Sequence, residues 1–285
     1  YAAGRCENGL YRIVPHLDSD IVQVRAEDST LFRGLTLRGS VTAFHRDPHT
    51  GIVCVGFNEQ GVTILIPTGA ERLSDRNSIG DVISLYTDRR ARLWCGTRKG
   101  LFMQTQGGFA LVRQVPNVLK SVPVYDIQET STGTIIVATA EGILRYDESQ
   151  KALYPLTALA ASVGMTTIGN ICPDPFSKDL WVNVLSVGVV RCREDGSVIE
   201  YFEYGRSSNE AEVQRLGTER IFSMQFDKRG DLWMSGMGVL LRRRRQTGKL
   251  EQVKTIQGVT QTIIPVKLIS TETDVLIAAL NGTGF

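Results

Sequence analysis

A glycine that follows a short apolar strand comes back along the whole chain, in GRCENGLYRI, GFNEQGVTIL, GTRKGLFMQ, ATAEGILRY, NVLSVGVVRC, SGMGVLLRR and ALNGTGF. These glycines are Gly9, Gly61, Gly100, Gly142, Gly188, Gly238 and Gly282, so the unit repeats every 39 to 52 residues. A period of that length restricts the chain to propeller blades or stacked helical pairs.

Local chemistry decides between the two. Ahead of each glycine lies a β-branched or aromatic run: SVTAF, DVISLY, VYDIQ, IGNIC, RIFSMQF or VKLIS. Such runs are strands. A turn rich in Asp, Gly, Pro or Thr follows (DPHTG, TSTG, DKRG), then a second strand such as RLWCGT, TIIVAT, DLWVNV or DLWMSG, which makes a hairpin. The glycine turn leads to a third strand, and a further turn (TQGG, EDGS, QTGK) to a fourth, more polar one such as FALVRQV or VIEYFEY. Four antiparallel strands form a blade with two apolar faces, so blades must stack radially and close a ring. Leu93 and Trp94, Leu180 and Trp181, and Leu232 and Trp233 are placed to fill the gaps between blades. The predicted fold is an all-β propeller, one domain over residues 1–285, with five whole blades and a sixth stopping after two strands. Six blades close if that pair joins the N-terminal strand YAAG; seven are implied if both ends are partial.

DVISLYTDRRARLWCGTRKGLF (Asp81 to Phe102) and RIFSMQFDKRGDLWMSGMGVLL (Arg220 to Leu241) resemble the two-component regulator propeller repeat, an apolar strand, an Asp-x-x-Gly turn, Leu-Trp-x-Gly-Thr and Gly-Leu. Ala91 replaces the turn glycine, Cys54 and Ile136 replace the Trp, and NVLSVG replaces Gly-Thr-x-x-Gly. The resemblance implies a seven-bladed, non-enzymatic extracytoplasmic sensor, a periplasmic part of a membrane-anchored regulator or hybrid histidine kinase. It further implies detection of glycan breakdown products, hence an oligosaccharide ligand, with homodimerisation through the parent sensor and membrane contact only through parts beyond this chain.

Composition fits this reading. With 32 basic against 30 acidic side chains the net charge is +2, and no global field favours nucleic acid. The most apolar stretch, Ala152 to Gly169, is broken by Pro155 and Gly164 and is not a membrane span. The chain opens YAAGRCENGL with no initiator Met or signal-peptide profile, and reads as a piece of a longer polypeptide. Cys6, Cys54, Cys95, Cys172 and Cys192 lack metal or redox spacing and read as buried small hydrophobes.

Catalytic chemistry has no visible carrier: no nucleophile elbow, phosphate loop or Cys/His arrangement is present, so no catalytic residue, metal or cofactor is assigned. His45 and His49 in HRDPHT flank a turn, and the only other histidine is His16. Asp174 with Asp179, and Glu194 with Asp195, fall in turns where carboxylates bond the backbone. In LLRRRRQTGK strand alternation sends Arg242 and Arg244 to one face and Arg243 and Arg245 to the other, as on a solvated outer hairpin. Propellers bind ligands at the channel mouth, formed by the loops from second to third strand and from blade to blade. Those loops carry Arg5, Asn58, Glu59, Gln60, Arg98, Lys99 and Glu141, with Asp81, Glu219 and Arg220 at the starts of innermost strands. This mixture of charged and amide groups suits a polar or acidic sugar. Two alternatives stand beside it: a protein-interaction propeller that dimerises without a small ligand, and an enzyme resembling the streptogramin lyases, which use a His and a divalent metal.

Overall fold

The computed structural model describes residues 41–47, 50, 53–57, 61–66, 69–74, 79–115, 122–185, 187–205, 216–218, 220–237, 239–253, 265–270 and 275–279. The first blade holds β1 (Val41–Arg46), β2 (Val53–Phe57), β3 (Gly61–Ile66) and β4 (Gly69–Ser74) in that order, each antiparallel to the next. The second holds β5 (Val82–Thr87), β6 (Leu93–Thr97), β7 (Gly100–Thr105) and β8 (Gly108–Leu111). A short β9 (Arg113–Gln114) follows, and the third blade adds β10 (Val124–Glu129), β11 (Ile135–Thr139), β12 (Gly142–Asp147) and β13 (Ala152–Pro155). After a seven-residue helix, α1 (Thr157–Val163), come β14 (Ile168–Pro173), β15 (Asp179–Val184), β16 (Gly188–Arg193) and β17 (Val198–Glu203) of the fourth blade. The fifth is β18 (Ile221–Phe226), β19 (Leu232–Gly236), β20 (Val239–Arg243) and β21 (Leu250–Gln252); β22 (Pro265–Ser270) and β23 (Val275–Ala279) form a two-stranded sheet among the described residues.

The predicted innermost strands therefore coincide with β1, β5, β10, β14, β18 and β22 to within two residues. The N-terminal strand YAAG, on which six or seven blades turns, lies outside the described residues. Two compact units are distinguished, Tyr1–Glu129 with Gly133–Ala140 and Leu144–Pro155, and Thr130–Thr132 with Glu141–Ile143 and Leu156–Phe285.

One blade departs from four strands. FALVRQV does not run on as a single outer strand: Val112 N–H still bonds Leu101 O at 2.8 Å, but Val115 N–H bonds Leu153 O at 2.8 Å. The chain has crossed to the next blade, where β9 lies parallel to β13 as a fifth strand. That crossing covers a sheet edge that would otherwise offer unpaired backbone. The helix α1 is the second departure, formed within the apolar stretch after Pro155 and anchored by buried Leu159. No described helix is long and apolar enough to cross a membrane.

The turn between first and second strands is built on a buried carboxylate. Asp88 Oδ1 accepts the N–H groups of Arg90 and Arg92, each at 2.9 Å, while Oδ2 accepts the Trp94 indole N–H at 2.8 Å and Arg92 Nε at 2.6 Å. Asp227 repeats the device, with Oδ1 on the N–H groups of Arg229 and Asp231 and Oδ2 on the Trp233 indole at 2.9 Å. Burial pushes the Asp88 carboxyl up, yet the backbone bond from Arg92, the indole and the guanidinium together hold it below its ordinary value. In both blades the residue three after the Asp sits at positive φ: Gly230 at 84°, and Ala91 at 59°. The alanine that replaces the repeat's glycine thus carries backbone strain that glycine would not.

The glycine inside Leu-Trp-x-Gly has a different role. A Cβ on Gly96 would lie 2.2 Å from Ser84 Oγ and 2.8 Å from Val124 Cγ1, so its absence lets β10 approach β6. Trp94, wholly buried, meets Tyr146 of the third blade edge to face at 5.0 Å, which bears out its reading as filler between blades. Cys54, Cys95, Cys172 and Cys192 are free and buried as expected, and burial pushes the Cys54 and Cys192 thiols up to about 12. Cys6 lies outside the described residues.

The arginine run is solvated only in part: Arg244 and Arg245 are exposed as expected, but Arg242 and Arg243 are largely covered. Arg242 pairs with Asp231 and lies over Trp233 at 5.1 Å, while Arg244 pairs with Glu251 at 2.9 Å. On the opposite face Arg243 reaches Glu200 at 3.1 Å and covers Trp181 at 4.9 Å, and Arg245 approaches Asp174 at 3.7 Å. The predicted alternation holds, but each face finds carboxylates, one in its own blade and one in the fourth.

Two measurements test these devices. Ala91→Gly raises stability by about 1 kcal/mol, read as a higher urea midpoint at unchanged m-value. Asp88→Ala lowers it by about 3 kcal/mol, because it leaves a buried indole N–H and turn amides without an acceptor.

Candidate functional site

In the second to fifth blades the two ends are distinguished by one backbone bond that recurs where the second strand turns into the third. Arg98 N–H donates to Asp81 O at 3.2 Å, Ala140 to Pro123 O at 3.3 Å, Leu185 to Thr167 O at 3.0 Å and Met237 to Arg220 O at 3.0 Å. Each bond ties the turn to the residue entering the innermost strand. Those strands also carry a register shift near their start, between Val41 and Ala43, Val82 and Ser84, Val124 and Asp126, Ile168 and Asn170, Ile221 and Ser223, and Pro265 and Lys267. A bulge at one place in every blade re-aims the side chains at that end.

The second blade brings Asp81, Arg98 and Lys99 together there. Arg98 Nε stands 3.4 Å from Asp81 Oδ2, with the guanidinium side chain 68% exposed and the carboxylate 22%. A pair as exposed as Arg98 in this one contributes at most about 1 kcal/mol. The turn beneath them is fixed by Thr97, fully buried, whose Oγ1 accepts Lys99 N–H at 3.0 Å and donates to Gly100 O at 3.1 Å. The Lys99 stem lies against Gly80, where a Cβ would come within 3.1 Å of it. Glu141 occupies the corresponding turn of the third blade, half-buried, and Arg220 enters β18 of the fifth with its guanidinium 5.4 Å from the Phe222 ring. Arg5, Asn58, Glu59, Gln60 and Glu219 lie outside the described residues.

His45 is not a solvated turn residue. Its Nε2 accepts Thr87 N–H at 3.0 Å, which ties β1 of the first blade to β5 of the second, and its ring tilts against Tyr86 at 6.0 Å. Burial pushes its pKa below 6.5, opposed by the nearby Asp47 carboxylate. His16 and His49 lie outside the described residues, among which no group of three or more His, Cys, Asp or Glu side chains is placed to hold a metal. Asp174 bonds backbone as expected, to the N–H groups of Phe176 and Ser177, whereas Asp179 instead pairs with Arg191 at 2.6 Å.

A latch in the fourth blade went unrecognised in the sequence. Asn183 Nδ2 donates to Ile221 O at 2.9 Å, and its Oδ1 accepts from Tyr204 Oη, which in turn accepts Ile221 N–H at 3.3 Å. Its only trace is the asparagine in NVLSVG, the segment that departs from Gly-Thr-x-x-Gly.

Antiparallel four-stranded blades with this repeating hairpin define a β-propeller. No protein-family model matches the sequence, and no curated protein matches it. Among solved structures the chain is similar to the extracellular domain of BT4673, a one-component system of B. thetaiotaomicron (TM-score 0.64, 17% identity, 84% of this chain and 31% of that one). It is similar also to the extracellular domain of the hybrid two-component system BT3049 of the same organism (TM-score 0.55, 14% identity, 89% of this chain and 40% of that one). A streptogramin B lyase is a third neighbour (TM-score 0.64, 15% identity, 85% of this chain and 76% of that one). At these identities the likeness is one of fold, and the chain spans less than half of either sensor domain.

Because the folded protein disfavours the charged imidazole, His45 contributes stability that is full above pH 6.5 and is lost as pH falls through its lower folded pKa. Between pH 7.5 and 5 the unfolding free energy therefore falls through this group. His45→Gln, which can accept the same N–H without titrating, flattens that part of the profile in denaturant titrations at each pH.

Proposed function

We propose that the chain is the extracytoplasmic sensing propeller of a bacterial one- or two-component regulator, and that it binds an oligosaccharide without transforming it. The observation that carries this reading is the identity of the side chains at the clamped blade ends. Arg98 stands where the other blades have Ala140, Leu185 and Met237, so the repeat does not require a charge there. Asp81, Arg98 and Lys99 instead present acceptors and donors on a rigid turn, the combination that orients a hydroxylated or acidic sugar. The fold likeness to the extracellular domains of BT4673 and BT3049 supports the sensor class. A ligand held at this turn would bias the propeller's contacts with the rest of a membrane-anchored polypeptide, and through them a kinase or transcriptional output.

Exposed Leu185 and Met237 on equivalent turns favour a second reading, in which this end of the fourth and fifth blades contacts a protein, a second copy of the sensor included.

The test uses the polypeptide encoded by the whole reading frame, screened on a glycan array and then by calorimetry. Arg98→Ala with Lys99→Ala lowers affinity for the captured glycan by about tenfold or more, while Ala140→Ser leaves it unchanged. Absence of any carbohydrate binding, or indifference to the Arg98 and Lys99 changes, overturns the proposal.

A further inference from the structure

The turn between β14 and β15 breaks the rule its sister turns obey. In the second and fifth blades the Asp N–H closes on the carbonyl four residues on, Asp88 to Arg92 and Asp227 to Asp231, but Asp174 closes on Asp179, five residues on. The additional residue has two consequences. Asp174 no longer accepts from its tryptophan, so the buried Trp181 Nε1 has no acceptor among the described residues. Phe176 is thrown out to 48% exposure. A buried unpaired N–H and an exposed aromatic ring are both unfavourable, and the fold does not require them, since two other blades avoid both.

What the longer turn accomplishes is a cleft of about 530 Å³ in the second compact unit, between Pro173, Pro175 and Phe176 on one wall and Gln225, Phe226 and Lys228 on the other. The ring of Phe176 is held in place rather than loose. Arg245 stacks on it at 4.3 Å, and the two meet over Gly230, where a Cβ would lie 2.6 Å from Arg245 Cδ and 3.0 Å from Phe176 Cε2. The prolines and Phe226 continue the apolar surface.

Both signs of charge border this cleft, and its carboxylate oxygens are already engaged while its donors are not. Asp227 borders it, but Oδ1 is taken by two backbone N–H groups and Oδ2 by the Trp233 indole. Asp174 Oδ1 is occupied likewise, by the Phe176 and Ser177 amides, with Arg245 at 3.7 Å. Lys228 is exposed and has no carboxylate partner among the described residues. Among the described residues the Gln225 amide makes one contact, at 3.5 Å to Phe226 O. A flat apolar floor, one unpaired ammonium and a weakly engaged amide donor match a ring that carries a single negative charge.

We propose that this cleft binds an aromatic carboxylate, its ring on Phe176 and its carboxylate on Lys228 and Gln225. The site is separate from the blade ends that carry Arg98 and Arg220 and does not depend on the glycan reading. The test is calorimetry and ligand-observed NMR on the 285-residue chain with 4-hydroxybenzoate and, as the uncharged comparison, 4-hydroxybenzyl alcohol. The acid binds saturably, and the alcohol about tenfold more weakly. Lys228→Gln, a change at an exposed side chain, removes the difference between them. Phe176→Ala weakens both, with near-UV circular dichroism confirming the fold, and Arg98→Ala alters neither. The proposal is overturned if the acid does not saturate, if acid and alcohol bind alike, or if Lys228→Gln leaves their ratio unchanged.

Discussion

A carboxylate buried at the first hairpin turn is the contact on which the blade depends. Asp88 satisfies the turn amides with one oxygen and the Trp94 indole with the other, so a single side chain sets the geometry of the hairpin and the position of the ring that fills the gap to the next blade. An isolated anion so placed would be costly, and here a neighbouring cation offsets it. The requirement is mutual. In the third blade the tryptophan is Ile136, which needs no acceptor, and the Asp position is Thr130, whose hydroxyl shares a 2.8 Å hydrogen bond with Thr132. Acceptor and donor have been exchanged together.

The cation arrives by two routes. In the second blade Arg92, four residues after the Asp, both pairs with it and covers Trp94 at 5.0 Å, and the cross-strand partner of that Trp is Met103. In the fourth and fifth blades the place of Arg92 belongs to Asp179 and Asp231, and the guanidinium comes from the third strand, as Arg191 over Trp181 and Arg242 over Trp233. Either arrangement leaves an arginine on the indole and a carboxylate on the arginine. This is why a run of four arginines in β20 and the turn after it produces no basic patch. These guanidinium groups are engaged in internal ion pairs, with Asp231, Glu200, Glu251 and Asp174.

The fold was legible in the sequence because its determinants are local. Alternating β-branched residues, turn chemistry and glycine spacing placed the innermost strands to within two residues and identified the two-stranded end at β22 and β23. What escaped were features set by contacts between blades. Nothing in FALVRQV marks Val112 as the point where the chain leaves one sheet for the next, since Arg113 and Gln114 suit either. His45 read as a turn residue because its partner, Thr87 N–H, is 42 positions away. Of the candidate site, the repeat placed Asp81 and Arg98 at the same end of their blade, but that they pair is seen only in the structure. Asn183 and Tyr204 could not be found that way, because their bonds replace a motif instead of matching one.

Repeats make such replacements interpretable. When several blades solve the same packing problem with the same parts, a blade that uses different parts and bears a physical disadvantage has been shaped by something other than packing. The charge at Arg98 meets the first condition, since alanine, leucine and methionine occupy the same clamped position elsewhere. The lengthened Asp174 turn meets both, because it leaves an indole N–H unpaired and a phenylalanine exposed where shorter turns do neither. Side chains that recur from blade to blade are thus the ones that keep the blades together, and those at which one blade departs from its sisters answer to a different demand.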